Sequence, residues 1–157
     1  MTNHTEAKTP GVIAPPPVLY VAALIVALML HWFWPLAIFR AAHVRWLGIA
    51  VVAVGLAVVI RVFHTLRAAG TTVDPRHPTT VIVTTGLFRF SRNPLYVGLT
   101  LMYLGLTLAF STWWGLVLLV PLLLTMHRGV ILREERYLDQ TFGEPYRKYC
   151  SRARRYL

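Results

Sequence analysis

Four apolar runs, each close to the length of a bilayer crossing, leave this chain little choice of fold. A helix needs about 20 apolar residues to span the hydrocarbon of a membrane. The runs lie at about Val18 to Phe39, Val44 to Leu66, Pro94 to Phe110 and Trp113 to Ile131. Trp32 and Trp34 stand near the end of the first as interfacial anchors, and Pro35 offers a kink. The second is entered past Arg45 and Trp46. Only Ser111 and Thr112 separate the third from the fourth, so those two must form a tight hairpin. Hydrophobic residues make up 56% of the 157 and charged residues 14%, too little polar surface for a soluble domain of this size. The expected fold class is an all-α integral membrane protein with about four transmembrane helices. A single domain over 18–157 follows a polar, proline-rich arm, 1–17, expected to be disordered.

Charge orients the spans. The formal net charge is +10, a balance that suits nucleic acid or an anionic membrane surface. The apolar runs favour the membrane, and no nucleic-acid partner is expected. Lys8 lies in the arm, Arg67, Arg76, Arg89 and Arg92 in the loop 67–93, and eight basic residues run from Arg128 to Arg155. The opposite side has Arg40 and Arg45. The positive-inside rule puts both termini, the loop and the C-terminal segment 132–157 in the cytoplasm, with the cell inner membrane as the expected location.

Several function classes lose support here. A transporter would show polar groups at mid-membrane and internal repeats. Arg61 and His64 are the deepest ionisable groups of the second span, and Arg61 can snorkel to the interface. Cys150 is the single cysteine, and no CxxC or HExxH spacing occurs; no metal site is expected. His77, in the loop AGTTVDPRHPTT, has no partner at metal spacing. Gly48 and Gly55 are seven apart, as are Gly98 and Gly105, and such pairs let a neighbouring backbone approach.

The polar chemistry gathers on one side. In SRNPLYVG, Asn93 suits an N-cap and Pro94 a first helical residue. The helix then begins at the cytoplasmic interface with free N–H groups, a positive dipole end, and the charge of Arg89 and Arg92. Such a place suits a carboxylate, a phosphate or a developing oxyanion. Tyr96 and Gly98 follow in the first turn and a half, and Gly98 would let a ligand near the backbone. A simple capped helix with positive-inside arginines fits these residues equally well. Further on, helical spacing sets His127, Ile131, Glu134 or Glu135, Leu138 and Phe142 along one face of an amphipathic helix. Glu134 and Glu135 belong either to a solvated, salt-bridged surface or to a site in which one carboxylate turns inward. In the latter case it would meet ribose hydroxyls or an ammonium or sulfonium centre. Gly143 ends that helix. Tyr146, Tyr149 and the final arginines would either meet anionic lipid head groups or wall a pocket.

The order GLFRFSRNPLYVGL, Glu134-Glu135, FGEPYRKY and a basic end, over roughly residues 70–157, resembles the integral-membrane methyltransferases. These are the isoprenylcysteine carboxyl methyltransferase and phospholipid methyltransferase group. Asn93 stands where the isoprenylcysteine enzymes usually carry histidine and the phospholipid enzymes often carry asparagine–proline. The resemblance implies an S-adenosylmethionine-dependent methyltransferase acting on a lipophilic small molecule or lipid at the cytoplasmic interface. It implies catalytic roles for Arg92, Tyr96 and Glu135. Cofactor contacts would come from Asn93, Pro94, Gly98, His127, Glu134, Glu135, Tyr146 and Tyr149, and substrate contacts from Arg92 and Arg152. Methyl transfer from a sulfonium asks for positioning and exclusion of water more than for strong acid–base catalysis. The competing expectations are a membrane sterol-type reductase using NADPH and a non-enzymatic lipid-binding membrane protein. The oligomeric state is open.

Overall fold

Proline punctuation and apolar length account for most of the helix boundaries. The computed structural model describes residues 11–38, 42–71 and 81–156. The arm 1–10 with Lys8, the segment 39–41 with Arg40, the loop 72–80 with Arg76 and His77, and residue 157 lie outside the described residues. Helix α1 covers Pro16–Phe33, with proline at its first position, where a missing N–H costs nothing. It stops short of the expected Phe39. The residue before a proline avoids helical angles, so Pro35 ends the helix instead of kinking it. The chain beyond pairs with the opposite hairpin turn: Ile38 N–H bonds Ser111 O at 3.1 Å and Trp113 N–H bonds Leu36 O at 3.0 Å.

Helix α2 is Ala42–Ala68 and helix α3 is Pro94–Ala109. Helix α4, Trp113–Met126, passes through a π-helical turn, His127–Ile131, into α5, Leu132–Phe142. Gly143, at φ +58°, reverses the chain into α6, Glu144–Cys150. The stretches Pro16–Phe33, Ala42–Ala68 and Trp113–Phe142 are long and apolar enough to cross a membrane. Helix α3, at 16 residues, rises only about 24 Å.

The four glycines form one interface. A Cβ on Gly105 would lie 2.7 Å from Gly48 O and 2.6 Å from Val52 N; one on Gly55 would lie 2.8 Å from Gly98 O. Helices α2 and α3 therefore run antiparallel with backbone against backbone, Gly48 facing Gly105 and Gly55 facing Gly98. Gly98, expected beside a ligand, meets Val59 and Gly55 of α2 instead. Behind α3, the ring of Tyr20 from α1 packs with Tyr103, Leu122, Met126 and Ile131 in the core. Val54, Leu56, Ile60, Val117 and Val120 are exposed, as lipid-facing side chains are.

The helices alternate in direction, so one end of the bundle gathers residues 11–15, the end of α2, the turn before α3 and everything after α4. Residues 11–15 of the expected arm are tied down there: Ile13 N–H bonds Gly129 O at 3.3 Å, and the Arg133 guanidinium bonds Gly11 O at 2.7 Å.

Overpacking a tight contact costs about 1–3 kcal/mol, and backbone cannot yield as a side chain can. Gly105→Val is expected to lower the melting temperature of the detergent-purified chain, while Ala53→Val, on the exposed face of α2, leaves it unchanged. Equal melting curves would remove the glycine contact as the link between α2 and α3.

Candidate functional site

The turn entering α3 is built jointly with the C-terminal tail. Arg92 N–H bonds Arg154 O at 2.8 Å, and Arg154 N–H bonds Phe90 O at 3.2 Å, a single parallel bridge between Ser91 and Arg154. Tyr149 donates its hydroxyl to Phe88 O at 2.7 Å. Asn93 holds the N-cap position as expected, but its side chain does not cap the helix. Its amide instead donates to Arg155 O at 2.9 Å, and its own N–H bonds Ser91 Oγ at 3.1 Å. The cap residue is thus used to hold the tail.

Glu134 and Glu135 face different partners. Tyr96 of α3 donates its hydroxyl to the Glu134 carboxylate, 2.7 and 2.8 Å from its two oxygens. Glu135 takes a bidentate pair from Arg155, Nε to Oε1 at 2.9 Å and Nη2 to Oε2 at 2.8 Å. Arg92 Nη1 lies 3.3 Å from Oε1 of the same carboxylate, and both side chains are about 15% exposed (15% and 14%). The π turn sets this division. Its extra residue rotates α5 by about 100° relative to an unbroken α-helix. It also breaks the regular face expected from His127 to Phe142. Gly129 sits in that turn against Ile13, where a Cβ would collide with the isoleucine side chain.

An open cleft of about 410 Å³ lies on the Glu135 side of α5; its walls include Arg92, Leu132, Glu135, Arg136, Tyr146 and Cys150. Arg92 Nη1 donates to Cys150 Sγ at 2.8 Å, while Arg92 Nε is buried with no partner among the described residues. Burial pushes the Tyr146 phenol well above its ordinary value; Cys150 and Glu135 push the same way and Arg92 offsets part of it. Burial likewise pushes Tyr149 up to about 12 against the pull of Arg92. Both remain neutral phenols near pH 7 and act as hydrogen-bond donors, not as bases. The Arg155 guanidinium is held protonated by its bond to Glu135.

The residues expected from the sequence thus fall into three groups. Arg92, Glu135 and Tyr146 meet at the cleft, with Tyr149 tying the tail to the turn and Asn93-Pro94 starting α3. Tyr96 and Glu134 meet on the bundle side of α5. His127 sits apart, its Nδ1 2.6 Å from the Tyr156 hydroxyl, and Arg152 is exposed on the tail. Among the described residues no group of three or more His, Cys, Asp or Glu side chains could hold a metal. Sequence reasoning missed Arg155, Cys150 and Ser91. The sole usable signal was that Arg155 closes a basic tail whose partner acids lie upstream.

Hydrogen bonds between charged groups contribute about 1.5–3 kcal/mol. Arg155→Ala is therefore expected to speed amide hydrogen exchange at Arg92 and Arg154 by about tenfold or more, with the amides of α1 and α4 unchanged. Unchanged protection would mean that the backbone bridge and Asn93 hold the tail without the ion pair.

A 66-residue protein segment of Haemophilus influenzae, described as uncharacterized, is 35% identical to this chain over 40% of its length, the match taking in all of that protein. No solved structure matches. The phospholipid methyltransferase family matches residues 43–145, from the glycine face of α2 through the Arg92–Pro94 turn and both glutamates. A match over that much of the chain, centred on the residues that build the site, places it: the chain belongs to the phospholipid methyltransferase family.

Proposed function

We propose that the chain transfers a methyl group from S-adenosylmethionine to a lipophilic acceptor at the cytoplasmic face of the membrane. Family membership makes it a membrane methyltransferase acting on lipid-type substrates; the cofactor, the acceptor's entry and the sidedness are the proposed part. One observation carries the reading. Around the start of α3 and the facing part of α5, two groups keep hydrogen-bonding capacity unspent: the buried Arg92 Nε and the Glu134 carboxyl group. Glu134 bonds Tyr96 alone and has no cation within 4 Å among the described residues. A carboxylate offers about four acceptor sites, and a buried donor without a partner is costly. A carboxylate of S-adenosylmethionine would suit Arg92 at the cleft, while Glu134, on the bundle side of α5, offers a separate acceptor for an ammonium or hydroxyl group.

Glu135 is already engaged by two guanidiniums, so its role is to position Arg92 and the tail. Glu134 is the carboxylate free to bind. Tyr146 and Tyr149, kept neutral by burial, serve as donors and as walls against water. S-adenosylmethionine supplies the methyl group on a positively charged sulfur, and the protein's share is alignment and exclusion of water. The cleft volume lies in the range of cofactor-sized sites.

Calorimetric titration of the detergent-purified chain with S-adenosylmethionine is expected to show saturable binding. Glu134→Gln and Arg92→Lys should each weaken it about tenfold or more, the loss of one charge-assisted contact, with helical circular dichroism unchanged. Absence of binding in a folded preparation would sink the cofactor assignment. The acceptor class is read by label from methyl-labelled cofactor entering the lipid fraction of a membrane extract.

Sidedness has its own test, because Cys150 is the single cysteine and lies partly exposed at this end of the bundle. A membrane-impermeant maleimide is expected to leave it unlabelled in intact cells and to label it in inside-out vesicles. Labelling of intact cells would invert the topology.

A further inference from the structure

The tail and the turn before α3 also create a surface that methyl transfer does not use. Arg89 and Phe90 end the short 3₁₀ turn Gly86–Arg89, with the Arg89 guanidinium 5.2 Å above the Phe90 ring. Phe90 is 64% exposed, although it sits four residues before the start of a membrane helix. The backbone bridge sets Arg154 against it, Arg154 N–H to Phe90 O at 3.2 Å, and Arg152 precedes Arg154 by two residues. Arg89, Arg152 and Arg154 are all exposed.

No carboxylate among the described residues neutralises this patch. Glu134 is taken by Tyr96, Glu135 by Arg92 and Arg155, and Asp139 by Arg147. Glu144 acts on Arg147. These four are the only described acids. What remains, among the described residues, is a group of exposed arginines with no acid partner beside an exposed aromatic ring, just before the start of α3. An aromatic ring belongs at the headgroup boundary, and arginines there attract anionic lipid.

We propose that Arg89, Phe90 and Arg154 form a docking surface for the anionic phospholipid headgroups of the bilayer around the chain. Phosphate oxygens meet the guanidiniums, which offer paired donors, while the Phe90 ring settles among the upper acyl carbons. A soluble acidic protein or nucleic acid would match the charge but would leave Phe90 in water. The bilayer matches both. This surface is independent of the methyl-transfer reading. Because Arg154 lies between Phe90 and Arg155, lipid bound here also keeps the tail seated on the turn.

The test uses the full chain reconstituted in phosphatidylcholine vesicles, with spin-labelled phosphatidylglycerol and spin-labelled phosphatidylcholine as the competing probes. Phosphatidylglycerol carries no amine, and the readout needs no turnover. The expected result is severalfold preferential association of phosphatidylglycerol, falling to near parity with phosphatidylcholine in R89Q/R154Q. The charge-matched R45Q/R128Q, changed at exposed arginines elsewhere, should keep the preference. Equal association of the two lipids would overturn the proposal, and so would an undiminished preference in R89Q/R154Q. Displacement of the labelled lipid by millimolar inorganic phosphate at constant ionic strength would also overturn it, since a free-phosphate site would then be the better description.

Discussion

The backbone contact between α2 and α3 is the constraint on which the rest of the molecule depends. In a bilayer, apolar side chains gain little by leaving lipid for protein, so helices associate through close packing. The glycine pairs Gly48–Gly105 and Gly55–Gly98 supply that closeness. They hold α3, 16 residues long, at a set depth against α2, which has 27. That depth decides where Pro94 begins the helix, and therefore where Arg92, Asn93 and Tyr96 stand relative to α5.

From this anchored turn the site is closed by exchange of hydrogen-bonding roles. Asn93 gives up capping its own helix and holds the tail; the backbone of Arg154 bridges the residues on either side of Ser91. The tail then delivers Arg155 to Glu135. With Glu135 at 14% exposure, this pair is better shielded than the Arg147–Asp139 pair, whose side chains are 65% and 41% exposed and which contributes little. One carboxylate is thereby committed to structure and its neighbour in sequence, Glu134, is left with a single phenol. The chemistry proposed for the site follows from that inequality between adjacent glutamates.

Much of the fold was legible before any coordinates. Apolar runs announced the spans, and glycines seven apart announced close packing. Arginines between Phe88 and Pro94, together with the glutamate pair, pointed to the polar end. The misreadings have local causes. Pro35 was weighed as a kink because the chain beyond it stays apolar; its backbone bonds go instead to the opposite turn at Ser111 to Trp113. Gly98 was assigned to a ligand because it follows Tyr96 closely, whereas its open side faces Gly55.

By itself, the sequence determined that the chain enters a membrane as helices and which residues share the polar end. Length, hydrophobicity and the pattern of charge act locally, so they can be read one segment at a time. Only the tertiary structure decided which glutamate is bound and which is open, and which of the similar tail arginines closes the site. Those outcomes rest on the π turn's rotation of α5 and on contacts between residues some 60 positions apart, such as Asn93 with Arg155. No local pattern encodes them, because each partner's alternatives look the same until the backbone brings one of them within about 3 Å.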